Sequence, residues 1–288
     1  MWTVANPGLG EPDSILSEAR VRSGKADALR TLQTTLAGAQ SQAQTTDWTA
    51  VSRDAFVERL VALVPEIDLL IHGLDALARV AANRLNASTR ITEIDAESAK
   101  LDAENAGMDR TRGRWEQSYG RSDQIVKEQE LLEAERSYLQ RAIDGKNQLY
   151  LYDYEGARII QMLGTPSSET RQRITYVPGT MSNMEMFQDG SVQPLSDWIV
   201  NQHPDTVAFI YKDGLFPGDS DGPRGDLVKG IPDANPSEFA KQTGPVLADF
   251  ETGLAADHRF TDVISTAISH SWGLANITSA EVSGAHYD

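Results

Sequence analysis

Apolar residues recur three and four positions apart through the first half of the chain, and this spacing predicts α-helices. A first helix is expected over about residues 23–46. A second is expected from about Val51, because leucine, isoleucine and phenylalanine fall on one side of it up to residue 77. The stretch 45–50 breaks the pattern, so we predict two helices that pack antiparallel. Pro65 lacks an amide hydrogen and is expected to kink the second helix or to break it locally.

The helical spacing continues to residue 143, but residues 86–143 carry much more charge. Ile125, Leu132 and Leu139 fall seven positions apart, which is typical of a short heptad seam. Glycines between positions 107 and 120 weaken the middle of this stretch. We therefore predict a long antiparallel helical pair that is interrupted at these glycines.

The pattern changes near Asp144-Gly145, after which short β-rich runs are separated by Gly, Pro and Asp turns. A hairpin is predicted first, in "LYLYDYEGARIIQML", with its turn at Glu155-Gly156. Three further strands are predicted in "RITYVPGT", "TVAFIYKDG" and "DVISTAIS". Helices are predicted between or after them, in "PLSDWIVNQH", "PSEFAKQTGPVLADFETGLAA" and "GLANITSAEVSGA". Strands that alternate with helices indicate a parallel sheet with both faces covered.

Charge and composition exclude several classes of partner and of site. The chain has 42 acidic and 26 basic residues, a formal charge of −16, so no nucleic-acid partner is expected. It has no cysteine, which excludes disulfides, zinc–thiolate sites and cysteine nucleophiles. No apolar run approaches the roughly 18–20 residues that a membrane helix needs, and the start of the chain lacks the pattern of a secretory signal. We predict a soluble protein, either cytoplasmic or secreted without a cleaved signal peptide.

The segment Ser269-His270-Ser271-Trp272-Gly273 stands between the last predicted strand and the last predicted helix. Small-x-Ser-x-Gly in that context is the pattern of a nucleophile elbow, whose sharp turn requires small residues on both sides of the serine. Gly273 fits this requirement, whereas Ser269 occupies the position where glycine is commonest. The alternative interpretation of Ser271 is an ordinary small residue in a tight βα turn.

Residues 146–288 resemble an actinobacterial α/β-hydrolase-like family known as a domain of unknown function. The resemblance rests on "YVPGTMSNM", "DWIVNQHP", "FIYKDGLFPG" and "HSWGLANITSAEVSGAHYD". Together with the helical spacing of residues 1–145, it implies a fold of class α + α/β, with an N-terminal antiparallel helical hairpin or bundle followed by the first five strands of a mostly parallel, α/β-hydrolase-like sheet. It also implies a serine hydrolase of ester or other acyl bonds, with Ser271 as the nucleophile. The oxyanion donors would be the amides of Trp272 and Thr180, with Met181 as the alternative to Thr180.

Residues 1–145 are similar to the helical-hairpin proteins with a Trp-x-Gly turn that type VII secretion exports. The turn here reads Trp48-Thr49-Ala50, so the glycine is replaced. The resemblance implies that Trp48 is part of an export signal, and that a helical partner binds through residues 23–85.

A nucleophilic serine needs an adjacent base, which in this fold belongs to a histidine that follows the serine and an acid along the chain. His270 is expected to point away from Ser271. The other histidines are expected to lie far from the serine, and they are His72, His203, His258 and His286. We therefore expect a truncated hydrolase domain that is weakly active or inactive by itself. The alternative is a non-catalytic secreted interaction protein.

Residues 212–236 follow the predicted strand "TVAFIYKDG" and are expected to border the site. Within them, Asp219-Ser220-Asp221-Gly222 resembles the start of a calcium loop, but Val228 stands where such a loop requires glutamate. We therefore predict a solvated turn rather than a metal site, and no cofactor.

Overall fold

The computed structural model describes residues 12–45, 50–108, 115–219, 234, 237–260 and 262–288. The chain forms two compact units. The first contains residues 1–82 and 253–261, and the second contains residues 83–252 and 262–288. Each unit is described separately below.

The first unit is built on helix α1, Pro12–Thr45, and on the beginning of helix α2, Ala50–Ala106. Its buried cluster contains Ala26 of α1 with Ile67 and Ile71 of α2. The helix α2 continues through Pro65, so the predicted local break is absent.

The second unit begins with the rest of α2, which pairs with helix α3, Trp115–Ile143. The pair is antiparallel, because Arg90 early in this part of α2 binds Glu135 late in α3, whereas Glu104 near the end of α2 binds Arg121. The heptad positions of α3 are 0 to 2% exposed, and they are Ile125, Leu132 and Leu139. Their burial explains the seven-residue spacing.

The sheet of the second unit has five strands, and their order across the sheet is β1-β2-β4-β3-β5. The strands are β1 Gln148–Asp153, β2 Arg158–Leu163, β3 Gln172–Val177, β4 Thr206–Lys212 and β5 Ile264–Ser269. The pairs β1–β2 and β2–β4 are antiparallel, and the pairs β3–β4 and β3–β5 are parallel. The sheet is therefore mixed: four strands run in the same direction, and β2 of the predicted hairpin runs against both of its neighbours.

The remaining helices connect the strands. Two short helices follow β3, one a single turn and the other beginning with a proline. They and the later helices are α4 Glu185–Gln188, α5 Pro194–Gln202, α6 Glu238–Ala255 and α7 Gly273–Val282, with a 3₁₀ turn at His258–Phe260. Among the described helices, none is both long enough and apolar enough to cross a membrane.

The two faces of the sheet are covered differently. The α2–α3 pair packs on one face, where the Tyr138 hydroxyl donates to Gln161 at 2.9 Å. The Asn83 side chain also accepts from the Tyr152 amide at 3.1 Å. On the other face, the Phe250 ring of α6 packs against aromatic rings of β1 and β4. Helical residues 83–143 therefore belong to the same compact unit as the sheet, while the predicted domain boundary after residue 145 stays a prediction.

Among the described strands, β5 is an edge strand of the sheet, so one side of its backbone faces no neighbouring strand. Residue Asp288 occupies part of that side. Its amide donates to the Ser265 carbonyl, and its carboxylate accepts from the Ser265 amide, both at 2.8 Å. The last residues of the chain thus pair with the beginning of β5, opposite to the end that leads into residue 270.

Candidate functional site

The turn 269–273 connects β5 directly to α7, and its central residue has an unusual backbone. Ser271 has φ of +52°, in the left-handed region that residues other than glycine rarely occupy. Such strain collects at functional sites, and a strained serine between a strand and a helix is what a nucleophile elbow requires. The side chain of Ser271 is exposed.

Close backbone contacts hold this turn against the end of β3. The His270 amide donates to the Val177 carbonyl at 3.1 Å. A Cβ on Gly273 would press on the Val177 carbonyl oxygen and lie 2.7 Å from that of Pro178. Only glycine fits at position 273, which explains the glycine of the sequence motif. Ser269, the small residue on the other side, is the last residue of β5 and pairs with Val177.

The loop after β3 passes beside Ser271. A Cβ on Gly179 would lie only 3.1 Å from the Ser271 Cβ, so a side chain at position 179 has no room. Thr180 follows immediately. In the part of the chain that the structure describes, the amides of Thr180 and Trp272 donate to no other group. The Met181 amide already donates to the Pro217 carbonyl at 2.8 Å. Thr180 is therefore a better candidate than Met181 for the second oxyanion donor.

A third loop, after β4, supports both of these segments. The Phe216 ring is fully buried and packs against the Trp272 ring, with 4.9 Å between their centroids. Next to it in the chain, Pro217 accepts the bond from Met181. The parallel pairing explains this meeting, because β3, β4 and β5 all end at the same edge of the sheet.

An ion pair lies inside this third loop. Lys212 and Asp219 are both fully buried, and the Lys212 ammonium donates to the Asp219 carboxylate. The ammonium also donates to the Gly214 carbonyl at 2.8 Å and lies 4.6 Å from the Phe216 ring centroid. Asp219 was predicted to lie in a solvated turn, and this prediction was wrong, because its carboxylate neutralises a lysine at the end of a buried strand.

Burial opposes both charges of this pair. Desolvation lowers the pKa of Lys212 and raises the pKa of Asp219, while the attraction between the two groups acts in the opposite direction on each pKa. The pair is held by hydrogen bonds, since the Phe216 amide also donates to Asp219 at 3.2 Å. The other carboxylate oxygen of Asp219 is buried and has no hydrogen-bond partner among the described residues.

The structure brings one histidine near Ser271. The position of a Cβ on Gly179 would lie 2.8 Å from the His270 Nδ1 atom and 3.1 Å from the Ser271 Cβ. The His270 Nδ1 atom and the Ser271 Cβ atom therefore lie at most about 6 Å apart. Within the described residues, the Ser271 hydroxyl makes no hydrogen bond to a histidine, an aspartate or a glutamate.

The other histidines of the second unit lie toward the far end of the sheet. His203 directly follows α5 and precedes β4, and His286 is two residues from the Asp288 that pairs with the beginning of β5. The side chains of His72 and His258 lie outside the described part of the chain, and so does the predicted export residue Trp48. No cluster of metal-ligating side chains occurs among the described residues.

Comparison with known proteins found no matching family model, no matching curated protein and no matching solved structure.

The patterns in the sequence did not identify one part of this site. Lys212 and Asp219 were not identified as partners, because they are separated by a glycine- and proline-rich loop whose path is not encoded in any periodic pattern. One signal was present in the sequence. A lysine that ends the otherwise apolar strand "TVAFIY" must either leave the sheet or find a buried anion.

Proposed function

We propose that residues 146–288 form an α/β-hydrolase-like domain in which Ser271 is the nucleophile of a serine hydrolase that acts on ester or other acyl bonds. One observation carries the proposal: Ser271 has φ of +52° at the junction of β5 and α7, with its side chain exposed. The strand order supports it, because a hairpin precedes parallel strands and the serine follows the fifth strand.

The local chemistry follows from these positions. The Ser271 oxygen attacks the acyl carbonyl carbon, and the carbonyl oxygen gains negative charge as the tetrahedral intermediate forms. The intermediate collapses by breaking the bond to the leaving group, which departs as an alcohol or amine, and water then hydrolyses the acyl-serine. The amides of Trp272 and Thr180 donate to that oxygen. Losing one such donor typically lowers the rate by about 10²–10³. The proton of Ser271 has no acceptor among the described side chains, so we expect slow reaction in this chain.

The test uses a fluorophosphonate probe on the full chain. We expect slow covalent labelling that Ser271→Ala abolishes and that Ser269→Ala leaves in place. The rate should rise with pH, because hydroxide then has to remove the proton. Labelling that persists in Ser271→Ala, or no labelling of the wild-type chain above that of Ser271→Ala, contradicts the proposal.

The same assay examines whether a base is present. Rapid labelling with a plateau near neutral pH indicates a base, and His270→Ala then shows whether the neighbouring imidazole supplies it. If His270→Ala reacts as the wild type does, His270 is not the base and its side chain merely lies beside the loop at Gly179.

The alternative function is that of a non-catalytic interaction protein exported by type VII secretion. The lack of a hydrogen bond between Ser271 and any described histidine favours it. Its test is secretion of the full chain from an actinobacterial host that has this pathway. Loss of export in Trp48→Ala, with equal amounts of protein inside the cell, supports the alternative, and unchanged export contradicts it.

A further inference from the structure

The buried ion pair Lys212–Asp219 is not expected to be a net source of stability for the fold. Removing two charges from water is costly for each ion, so a buried ion pair is weak evidence that the pair stabilises the fold. Within the described part of the chain, one carboxylate oxygen of Asp219 also has no hydrogen-bond partner. A pair with this cost is expected to fix a particular arrangement of the chain.

The arrangement that it fixes is the loop of residues 213–219. Lys212 ends β4, and its ammonium reaches forward to the Gly214 carbonyl and to the Asp219 carboxylate. Asp219 also accepts from the Phe216 amide, and its own amide donates to the Phe216 carbonyl at 2.9 Å. The loop is therefore closed on itself around one ammonium group. Its left-handed residues are Gly214, with φ of +93°, and Gly218, with φ of +99°.

The outer side of this loop contacts both segments that carry the candidate oxyanion donors. The Phe216 ring supports the Trp272 ring, and the Pro217 carbonyl holds the Met181 amide. Trp272 follows the nucleophile, and Met181 follows Thr180. A displacement of the loop would therefore move both donors relative to Ser271.

We propose that Lys212 and Asp219 are a positioning pair, which sets the distance between the Trp272 and Thr180 amides by holding Phe216 and Pro217 in place. This inference rests on the proposed function of Ser271. Neither residue touches the reacting atoms, since both side chains are fully buried.

The experiment compares two double variants with the same chemical changes. Lys212→Met with Asp219→Asn removes the positioning pair. Arg173→Met with Glu251→Gln removes a second buried ion pair, which joins the beginning of β3 to α6 at the other end of the sheet. The control thus reports what the loss of a buried pair does when no loop at the site is involved.

Three quantities are measured on each full-length variant. They are the indole N–H resonance of Trp272 in a ¹H–¹⁵N spectrum, the hydrogen-exchange rate of the Met181 amide and the rate of fluorophosphonate labelling. We expect the Lys212/Asp219 variant to shift the Trp272 resonance and to accelerate Met181 exchange about tenfold. Labelling should slow by roughly 10-fold to 100-fold, as expected for misplaced catalytic groups. The Arg173/Glu251 variant should leave all three near wild type.

A folded Lys212/Asp219 variant with the wild-type resonance and exchange rate overturns the inference, as does an equal change in the control. If the variant does not fold, Asp219→Asn alone replaces it, because it removes the carboxylate charge and keeps the shape of the side chain. Its Met181 amide must then exchange faster than in the wild type for the inference to hold. If the wild-type chain is not labelled, the proposed hydrolase function fails. The resonance and the exchange rate still decide whether the pair positions the two segments.

Discussion

The backbone of Ser271 gives a direct prediction of stability. A residue other than glycine in the left-handed conformation costs about 1–2 kcal/mol, and Ser271 has φ of +52°. Glycine removes this cost, but it raises the entropy of the unfolded chain, and this lowers the free energy of unfolding by roughly 0.5–1 kcal/mol. Since the serine side chain is exposed, little packing is lost. We therefore expect Ser271→Gly to be more stable than Ser271→Ala by about 0.5–1 kcal/mol.

The comparison with Ser271→Ala isolates the backbone, because both variants lack the hydroxyl and only alanine keeps the Cβ. Equilibrium unfolding in urea measures the difference in free energy. A thermal scan should show a shift of about 1–4 °C, given 2–4 °C per kcal/mol for a unit of this size. The matched control is Ala267→Gly, in the middle of β5. There glycine should destabilise by about 0.5–1 kcal/mol, since the strand gains nothing from its freedom.

The test is whether glycine in place of alanine raises the free energy of unfolding at position 271 and lowers it at position 267. If Ser271→Gly is no more stable than Ser271→Ala, the turn is not strained and the main support for the proposed nucleophile is lost. If both glycine variants are stabilising, the effect is general and does not report on this turn.

Three further predictions concern the packing of the chain. Gly273→Ala should destabilise the protein by about 1–3 kcal/mol in urea unfolding, because the added Cβ would meet two carbonyl oxygens. In Gly253→Ala the added Cβ would meet no atom within 4 Å, so this variant should be more stable by up to about 1 kcal/mol. Arg90→Met leaves the buried carboxylate of Glu135 unpaired and should cost about 3–5 kcal/mol, against under about 1 kcal/mol for Arg136→Met in an exposed pair; equal costs would contradict the assignment. Burial raises the pKa of several tyrosines above the ordinary value of 10.0. Because these tyrosines ionise more easily in the unfolded chain, the free energy of unfolding is unaffected by them below that pH and falls as the pH rises beyond it. Absorbance at high pH should show that these ionise only with unfolding, namely Tyr138, Tyr152, Tyr211 and Tyr287.

Local patterns predicted the elements of the second unit closely. The hairpin was predicted as two strands around Glu155-Gly156, and the structure has strands ending at Asp153 and beginning at Arg158. Alternation and turn residues are short-range signals, so they survive without knowledge of the fold. The same holds for Ser271, since a strand, a small-residue turn and a helix follow one another within the sequence.

Pairings between distant residues were not predictable in this way. The sequence does not say that β2 lies antiparallel to β4, nor that the Asp219 carboxylate returns to Lys212. At Pro65 a local rule predicted a kink or a local break, and the helix continues through this position without a break. Here the buried positions on both sides of it, Leu60 and Ile67, keep the helix on one packed face.

The geometry of the turn at Ser271 and its reactivity depend on different parts of the molecule. The turn is set by backbone contacts among the ends of β3, β4 and β5: the fit of Gly273 beneath Val177, and the approach of Gly179 to Ser271. None of these contacts involves a base. A sequence that preserves the small residues therefore preserves the shape of a nucleophile elbow, whether or not a histidine stands beside the serine. For this reason a labelling rate, and not a motif, has to decide what Ser271 does.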